Sequence, residues 1–217
     1  MKLIAKPVER AFRVVTQPVV DRLLRAGVRP NAITTLGTLI VVASALAYGL
    51  GRVRLGGVLY LVSGVVDTLD GAVARARGEV TRFGAFYDST LDRLGDGATF
   101  MGIAVFYLRA PAGTVAYGDL AIIISMTAIV TSLVVSYARA RAEGLGIDCR
   151  VGLVQRAERI VLLGLPTAIG GAGPDGLLLF WIVSILALAS VVTIVQRIVY
   201  VYRVTGGASA PDAPKGS

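Results

Sequence analysis

Histidine is absent from the 217-residue sequence, and cysteine occurs only once, at Cys149. The chain therefore has no Ser-His-Asp site, no His-ligated zinc, no cysteine-based metal cage and no intramolecular disulfide. Charge is also scarce, because 17% of the residues are charged, where a soluble domain carries about 25%. A catalyst built from this chain must use carboxylates, arginines and metal ions.

Apolar residues are abundant instead. They make up 55% of the chain, and the mean hydropathy is +0.72. This composition argues against a soluble enzyme and against disorder, and it favours a membrane protein. The formal net charge of +8 then marks cytoplasmic loops, and we expect no nucleic-acid partner.

Long apolar stretches predict an all-α membrane protein with six transmembrane helices. Lys and Arg concentrate in alternate connections, so the positive-inside rule places both termini in the cytoplasm. We expect a multi-pass protein of the plasma membrane with its active site facing the cytoplasm. The predicted spans are 32–50, 55–74, 87–108, 119–138, 158–172 and 176–202.

The remaining segments predict three regions. Residues 1–30 read as an amphipathic juxtamembrane helix that lies in the membrane interface, with a soluble cap on the bundle as the alternative. Residues 31–204 form the six-helix transmembrane catalytic domain. Residues 205–217 are rich in Gly, Ala, Pro and Ser and read as a disordered tail.

Carboxylates stand where membrane spans should be apolar. Six of the 14 acidic residues fall between residues 67 and 96. Asp67 and Asp70 share one helix face, and Asp88 and Asp92 share a face of the next helix. We expect these consecutive, antiparallel helices to be neighbours that present both pairs at one level. An embedded carboxylate costs about 3 kcal/mol and is therefore a functional candidate.

Four carboxylates at low dielectric repel one another unless a cation neutralises them. Oxygen ligands without His or Cys select Mg²⁺, Mn²⁺ or Ca²⁺ over zinc. Gly71 and Gly84 allow close approach, and Arg75 is a fixed cation suited to phosphate. Together they suggest a metal-bridged pyrophosphate. The alternatives are solvated juxtamembrane charges, or a cation or proton pathway in a transporter, which would not need Arg75.

The spacing of these residues resembles the signature of the CDP-alcohol phosphotransferases, which displace CMP from a CDP-linked alcohol with a second alcohol. The resemblance covers nearly the whole chain. The matching string is Asp67-x-x-Asp70-Gly71-x-x-Ala74-Arg75, eight residues, then Gly84-x-x-x-Asp88-x-x-x-Asp92.

The resemblance implies two divalent ions, Mg²⁺ or Mn²⁺. Asp67, Asp70 and Asp88 would hold one ion, and Asp67, Asp88 and Asp92 the other. Asp92 would also be the general base for the incoming hydroxyl. Residues 30–34 resemble the family's Pro-Asn-x-x-Thr motif, although Asn31 and Thr34 could simply cap a helix. The implied contacts to CDP-diacylglycerol are Asn31, Ala32, Ile33, Thr34, Gly71, Arg75 and Thr81.

The connection between the fourth and fifth spans reads Ser136-Tyr137-Ala138-Arg139-Ala140-Arg141-Ala142-Glu143-Gly144-Leu145-Gly146, then Gln155-Arg156-Ala157-Glu158-Arg159. It resembles the same connection in actinobacterial phosphatidylinositol phosphate synthases. That similarity implies inositol 1-phosphate as the acceptor and a homodimer in the membrane. Arginines suit an anionic acceptor, although each could merely satisfy the positive-inside rule. Glycerol 3-phosphate is the alternative acceptor and would give phosphatidylglycerol phosphate. The candidate acceptor-phosphate residues are Arg156 and Arg197, followed by Arg139 and Ser132.

Overall fold

A computed structural model of the chain describes the backbone of residues 6–206 and the side chains from residue 16 onward. In that range all regular secondary structure is helical, without a strand, which confirms the all-α class. A short 3-10 turn at Pro174–Gly176 precedes the last helix. The α-helices are α1 (Lys6–Arg25), α2 (Pro30–Gly49), α3 (Val53–Arg77), α4 (Arg82–Arg109), α5 (Gly118–Gly144), α6 (Arg156–Gly170) and α7 (Leu177–Thr205).

Several of these helices suit a membrane. In the described range, four segments are long and apolar enough to span a bilayer: Pro30–Gly49, Val53–Arg77, Gly118–Gly144 and Pro174–Thr205. Helix α6 has only 15 residues, and α4 carries Asp88, Asp92, Arg93 and Asp96. A multi-pass membrane architecture is therefore supported, whereas six separate crossings remain a prediction.

The outer surface of the bundle differs from that of a soluble protein. Large apolar residues cover the outside of the bundle, such as Leu39 and Leu46 on α2 and Leu108 on α4. Small hydroxyl residues lie inside, each donating a hydrogen bond to a backbone carbonyl. A surrounding solvent of lipid favours this arrangement. The buried hydroxyl residues include Ser44, Ser63, Thr99, Ser125, Thr167, Ser190 and Thr193.

Helices α2 to α7 are arranged in a ring. Helix α2 packs between α3 and α4, α5 packs between α4 and α7, and α6 packs on α3 and, less extensively, on α7. Their inward faces share one apolar core, with Tyr48, Phe100, Leu163 and Leu186 among the fully buried side chains. Close backbone contacts at glycines hold parts of this ring together.

The structure corrects one expectation about this ring. Helices α3 and α4 were predicted to be direct neighbours, yet in the described chain none of their Cα atoms approach within 8 Å. Both pack on α2 instead. Sequence spacing identifies the face of a helix but not the helix that it meets. The gap leaves room between the two acidic faces.

The terminal segments are only partly described. Helix α1 lies within the segment predicted as the N-terminal juxtamembrane helix, and its Val20 packs with Ile33, Leu69 and Val73. Residues 1–5 lie outside the described residues, so the interfacial placement of residues 1–30 stays a prediction. Helix α7 ends at Thr205 and is capped by Gly206 in the left-handed conformation. Residues 207–217, most of the predicted tail, also lie outside the described range.

Candidate active site

The second half of α3 presents the first pair of aspartates. Asp70 is buried, and its Oδ2 accepts a hydrogen bond of 2.7 Å from Thr34 Oγ1 on α2. The Thr34 hydroxyl also lies 3.3 Å from the Pro30 carbonyl oxygen. The Pro-Asn-x-x-Thr segment is thus tied directly to the acidic motif.

Helix capping is a wrong explanation for this segment. Helix α2 begins at Pro30, and its N-cap residue is Arg29, which makes no side-chain capping bond. Asn31 and Thr34 lie inside the helix, where proline fixes the backbone of the first turn. Their side chains are therefore available for interactions beyond their own helix end.

A glycine on α2 makes room for Asp67. A Cβ atom at Gly37 would lie 3.0 Å from Asp67 Oδ1 and 3.3 Å from a side-chain carbon of Val66. That distance is shorter than ordinary van der Waals contact, so a side chain here would displace the carboxylate. Gly37 was not among the predicted site residues, because a lone glycine in an apolar span has many structural explanations.

The first half of α4 presents the second pair. Asp88 and Asp92 are partly exposed, and Asp88 lies close enough to Asp67 and Asp70 to repel them electrostatically. The neighbouring Tyr87 hydroxyl shares a hydrogen bond of 2.9 Å with Thr35 Oγ1, which fixes α4 against α2. All four predicted aspartates therefore face the same gap.

Arg156, the first residue of α6, places its guanidinium in this gap. Its Nη1 forms ion pairs with Asp67 Oδ2 and, at 2.7 Å, with Asp92 Oδ1. Its Nε lies 3.6 Å from Asp96 Oδ1. One cation thus joins aspartates of α3 and α4. Arg156 was predicted to bind the acceptor phosphate, and its ion pairs with these aspartates were not predicted.

The residues fit a divalent cation in their chemistry. Among the side chains described, those of residues 16–206, no three from Asp, Glu, Cys or His cluster tightly enough to form a ready-made metal site. The Arg156 guanidinium nevertheless shows that positive charge is accommodated between Asp67 and Asp92. Carboxylate oxygens without nitrogen or sulfur donors match Mg²⁺ or Mn²⁺.

Several residues predicted to contact CDP-diacylglycerol lie close to one another or to a motif glycine. The Arg75 side chain folds back over Gly71, where a Cβ atom would lie 3.1 Å from Arg75 Nη1. Thr81 is the N-cap of α4 and accepts a hydrogen bond of 2.9 Å from the Gly84 amide. A Cβ atom at Gly84 would lie 3.5 Å from Asn31 Oδ1. These positions bring the motif segments of α2, α3 and α4 together.

Two members of this predicted set differ from the others. The Ile33 side chain is buried in the apolar cluster with Val20, Leu69 and Val73. The Ala32 side chain is exposed and has no polar group. Contacts from these two residues to a nucleotide would therefore come from the backbone.

The other predicted acceptor residues lie along α5 and α7. Arg197 is 6% exposed and donates hydrogen bonds to the carbonyl oxygens of Val135 and, at 3.0 Å, of Val151. Arg139 is exposed and pairs with Glu143 at 2.8 Å. Ser132 is buried and donates to the Ile129 carbonyl. Arg197 and Arg139 interact electrostatically, whereas the ion pairs of Arg156 are with the aspartates.

A buried ion pair near Arg156 was not assigned a role from the sequence. Asp96 and Arg159 are 5% and 2% exposed, and Arg159 Nη1 lies 2.5 Å from Asp96 Oδ2. The spacing held a signal for both residues. Asp96 follows Asp92 by one helical turn, and Arg159 follows Arg156 by three residues, so each shares a face with a residue of the site.

Comparisons with known proteins agree with this geometry. The family model described as CDP-alcohol phosphatidyltransferase matches residues 28–195. A phosphatidylinositol phosphate synthase of Mycolicibacterium smegmatis is 39% identical over 215 residues, covering 94% of this chain and 90% of that protein. An archaetidylinositol phosphate synthase of Methanothermobacter thermautotrophicus is 37% identical over 202 residues, covering 91% of this chain and 92% of that protein.

Solved structures of Mycobacterium tuberculosis phosphatidylinositol phosphate synthase are also similar. The structure with CDP-DAG bound has a TM-score of 0.81 and 34% identity, covering 92% of this chain and 99% of that chain. The complex with manganese and citrate has the same TM-score and identity, covering 93% and 96%. The resemblance predicted from the aspartate spacing is confirmed, and the chain belongs to the CDP-alcohol phosphatidyltransferase family.

Proposed function

We propose that this chain transfers the phosphatidyl group of CDP-diacylglycerol to inositol 1-phosphate, giving phosphatidylinositol phosphate and CMP. One observation carries the proposal: aspartates of α3 and α4 face a common gap and share a cation there. Relatives named phosphatidylinositol phosphate synthases support the acceptor. Membership of the family supports the reaction class.

The donor would lie in the gap between α3 and α4. Its pyrophosphate would meet Gly71 and Arg75, while Asn31, Thr34 and Thr81 surround the nucleotide. The exposed Arg75 guanidinium suits forked contact with phosphate oxygens. The backbone of residues 31–34 and the small residue Gly71 would let the nucleotide approach closely. The solved relative with CDP-DAG bound supports this donor.

Asp67, Asp70, Asp88 and Asp92 would hold two divalent ions, Mg²⁺ or Mn²⁺, and the manganese complex of the relative supports the metal type. When bound, such ions neutralise the negative charge that grows on the departing phosphate. Thr34 donates to Asp70 Oδ2 and so fixes that carboxylate in one orientation. The Arg156 guanidinium would move from Asp67 and Asp92 toward the acceptor phosphate.

Asp92 would act as the general base, because the chain has no histidine. It takes the proton from the attacking hydroxyl of inositol 1-phosphate. The oxygen of that hydroxyl bonds to the phosphorus that carries diacylglycerol, and the bond from this phosphorus to the CMP oxygen breaks. The proton remains on Asp92 and CMP leaves. This direct displacement needs no covalent phosphoenzyme.

The acceptor phosphate would be bound by Arg156 and Arg197, with Arg139 and Ser132 nearby. Arg197 is anchored by two backbone carbonyls, and it interacts electrostatically with Glu143 as well as with Arg139. Arg139 adds positive charge beside it. A dianionic acceptor suits these arginines, whereas a cationic alcohol would meet repulsion.

The membrane setting is also part of the proposal. Helices α2 to α7 would each cross the bilayer of the plasma membrane, with α4 and α6 shielded by their neighbours. Both termini and the active site would face the cytoplasm, and the chain would form a homodimer. Residues 1–30 would form the interfacial helix, 31–204 the catalytic domain and 205–217 the tail.

An acceptor panel tests this function. Purified protein receives CDP-diacylglycerol with inositol 1-phosphate, free inositol, glycerol 3-phosphate or serine, and CMP release is measured. We expect CMP release with inositol 1-phosphate and with none of the other three acceptors. Release with glycerol 3-phosphate alone would overturn the acceptor and keep the reaction class. Solute movement in vesicles without CMP release would indicate a transporter and overturn both.

The similarity to an archaetidylinositol phosphate synthase means that the lipid donor must be tested as well as the acceptor. The name of that relative specifies an archaetidyl product, while its acceptor group is the same. The panel is therefore repeated with CDP-archaeol in place of CDP-diacylglycerol. Higher kcat/KM with CDP-diacylglycerol supports the proposed donor, and higher kcat/KM with CDP-archaeol would contradict it.

A further inference from the structure

We propose that Asp96 is a positioning residue that acts through Arg156 and sets the affinity for the phosphorylated acceptor. The inference rests on the proposed function, because it assigns Arg156 to the acceptor phosphate. Asp96 lies one helical turn beyond Asp92 on α4 and is 5% exposed. Its carboxylate faces α6, from which both Arg156 and Arg159 approach it.

The two oxygens of Asp96 have different surroundings. Oδ2 accepts the bond of 2.5 Å from Arg159 Nη1, and this pair fixes the carboxylate in the interior. Oδ1 is buried without a hydrogen-bond partner and lies 3.6 Å from Arg156 Nε, slightly beyond hydrogen-bond range. Asp96 therefore uses Oδ2 to pair with Arg159 inside the fold, and its Oδ1 is directed at Arg156.

Four buried polar atoms without hydrogen-bond partners belong to this one cluster. They are Tyr60 Oη, Asp96 Oδ1, Arg156 Nε and Arg159 Nε. Tyr60 interacts electrostatically with Asp96, Arg156 and Arg159. A buried polar atom without a hydrogen-bond partner destabilises the fold. This cluster holds both donors and an acceptor, so small movements or a bridging water molecule would complete hydrogen bonds to Asp96 Oδ1.

The arginine has two distinct edges in this arrangement. Its Nη1 side faces Asp67 and Asp92 in the gap, while its Nε side faces Asp96 behind the gap. When substrate occupies the gap, Asp96 remains as the fixed partner of Nε. It keeps the forked end of the guanidinium directed at the acceptor phosphate, which raises affinity by limiting the orientations that Arg156 must lose on binding.

A double-mutant cycle tests the role of Asp96 through Arg156. In the otherwise wild-type enzyme, Asp96→Asn should raise the KM for inositol 1-phosphate on the order of tenfold and leave the KM for CDP-diacylglycerol within about twofold. In an Arg156→Ala background, Asp96→Asn should change neither value further. Two outcomes would overturn the proposal. One is that the effects of Asp96→Asn and Arg156→Ala on the acceptor KM multiply in the double variant, and the other is that Asp96→Asn raises both KM values equally.

Two further variants keep the test decisive. Asp96→Asn leaves Arg159 buried without an anion, so this variant can fail to fold. Asp96→Asn combined with Arg159→Gln removes both charges, and a normal acceptor KM in the folded double variant would overturn the proposal. Tyr60→Phe should raise the acceptor KM about twofold to threefold, and only when Asp96 is present.

The matched control is Asp148→Asn, because Asp148 forms an exposed ion pair with Arg150. It should leave both KM values unchanged. If the acceptor panel identifies another phosphorylated alcohol, the cycle is run with that acceptor. Failure of inositol 1-phosphate in the wild type counts against the proposed function, whereas multiplying effects in the cycle count against the role of Asp96 alone.

Discussion

The two halves of α3 have different roles: the first packs closely against another helix, and the second carries two aspartates. In the first half, a Cβ atom at Gly57 would lie 2.5 Å from the Ala168 amide nitrogen of α6, so two backbones are in close contact. In the second half, Asp67 and Asp70 face α2 and a gap beside α4. One helix thus holds the scaffold at one end and presents carboxylates at the other. Stability and activity should therefore respond to different substitutions.

The largest expected effect is at the acidic end. Asp92→Asn should lower kcat for CMP release by on the order of a hundredfold to ten-thousandfold, because the hydroxyl loses its proton acceptor. Its thermal unfolding temperature in detergent should stay close to that of the wild type. Asp148→Asn serves as the exposed control and should keep full activity. An unchanged kcat in Asp92→Asn would contradict a role of Asp92 as the proton acceptor.

The glycine end should give the opposite result. Gly57→Ala forces a methyl group onto the α6 backbone and should destabilise the fold by about 1 to 3 kcal/mol. Thermal unfolding in detergent measures this loss, and kcat of the folded fraction should change little. Gly97→Ala is the matched control, because open space surrounds Gly97 within 4 Å. Equal stability of the two variants would contradict the close packing of α3 on α6.

Arg197→Ala should have an intermediate effect. Loss of the cation should raise the KM for inositol 1-phosphate about tenfold and leave CDP-diacylglycerol binding nearly intact. Arg197→Lys should recover part of the affinity, since it keeps the charge and loses the forked geometry. An equal loss of affinity for both substrates would show that Arg197 acts only by holding Val135 and Val151 in place.

The smallest effect is expected at Thr34. Thr34→Val removes the hydroxyl that donates to Asp70 and should weaken CDP-diacylglycerol binding by about fivefold. Titration of the lipid into wild-type and variant protein measures the change. Thr38→Val is the matched control, because the Thr38 hydroxyl donates to the Thr34 carbonyl within its own helix, one turn earlier. A similar loss in both variants would contradict a specific role for Thr34.

The sequence allowed correct prediction of the helical class, the family and the helix faces that carry the aspartates. Each predicted span lies in or close to one observed helix, because apolar runs and Gly-rich or Arg-rich breaks are local features. The spacing of Asp67, Asp70, Asp88 and Asp92 also depends on local periodicity alone. These features require no knowledge of which helices meet.

The sequence did not allow prediction of contacts between distant segments. Helices α3 and α4 were expected to be neighbours, and α2 was found packed against both. The pairing of Arg156 with Asp67 joins residues far apart in the chain, which no periodic pattern encodes. Asp96 and Arg159 shared faces with site residues, yet their burial together became evident only from the packing of α4 and α6.

The most direct test of the account is the metal dependence of CMP release. Wild-type protein is supplied with CDP-diacylglycerol and inositol 1-phosphate, first in excess chelator and then with Mg²⁺ or Mn²⁺ restored. The account predicts no release in chelator and full recovery with either ion, but no recovery in Asp88→Asn at the same ion concentration. Unchanged turnover in excess chelator would contradict a site in which these aspartates bind divalent ions.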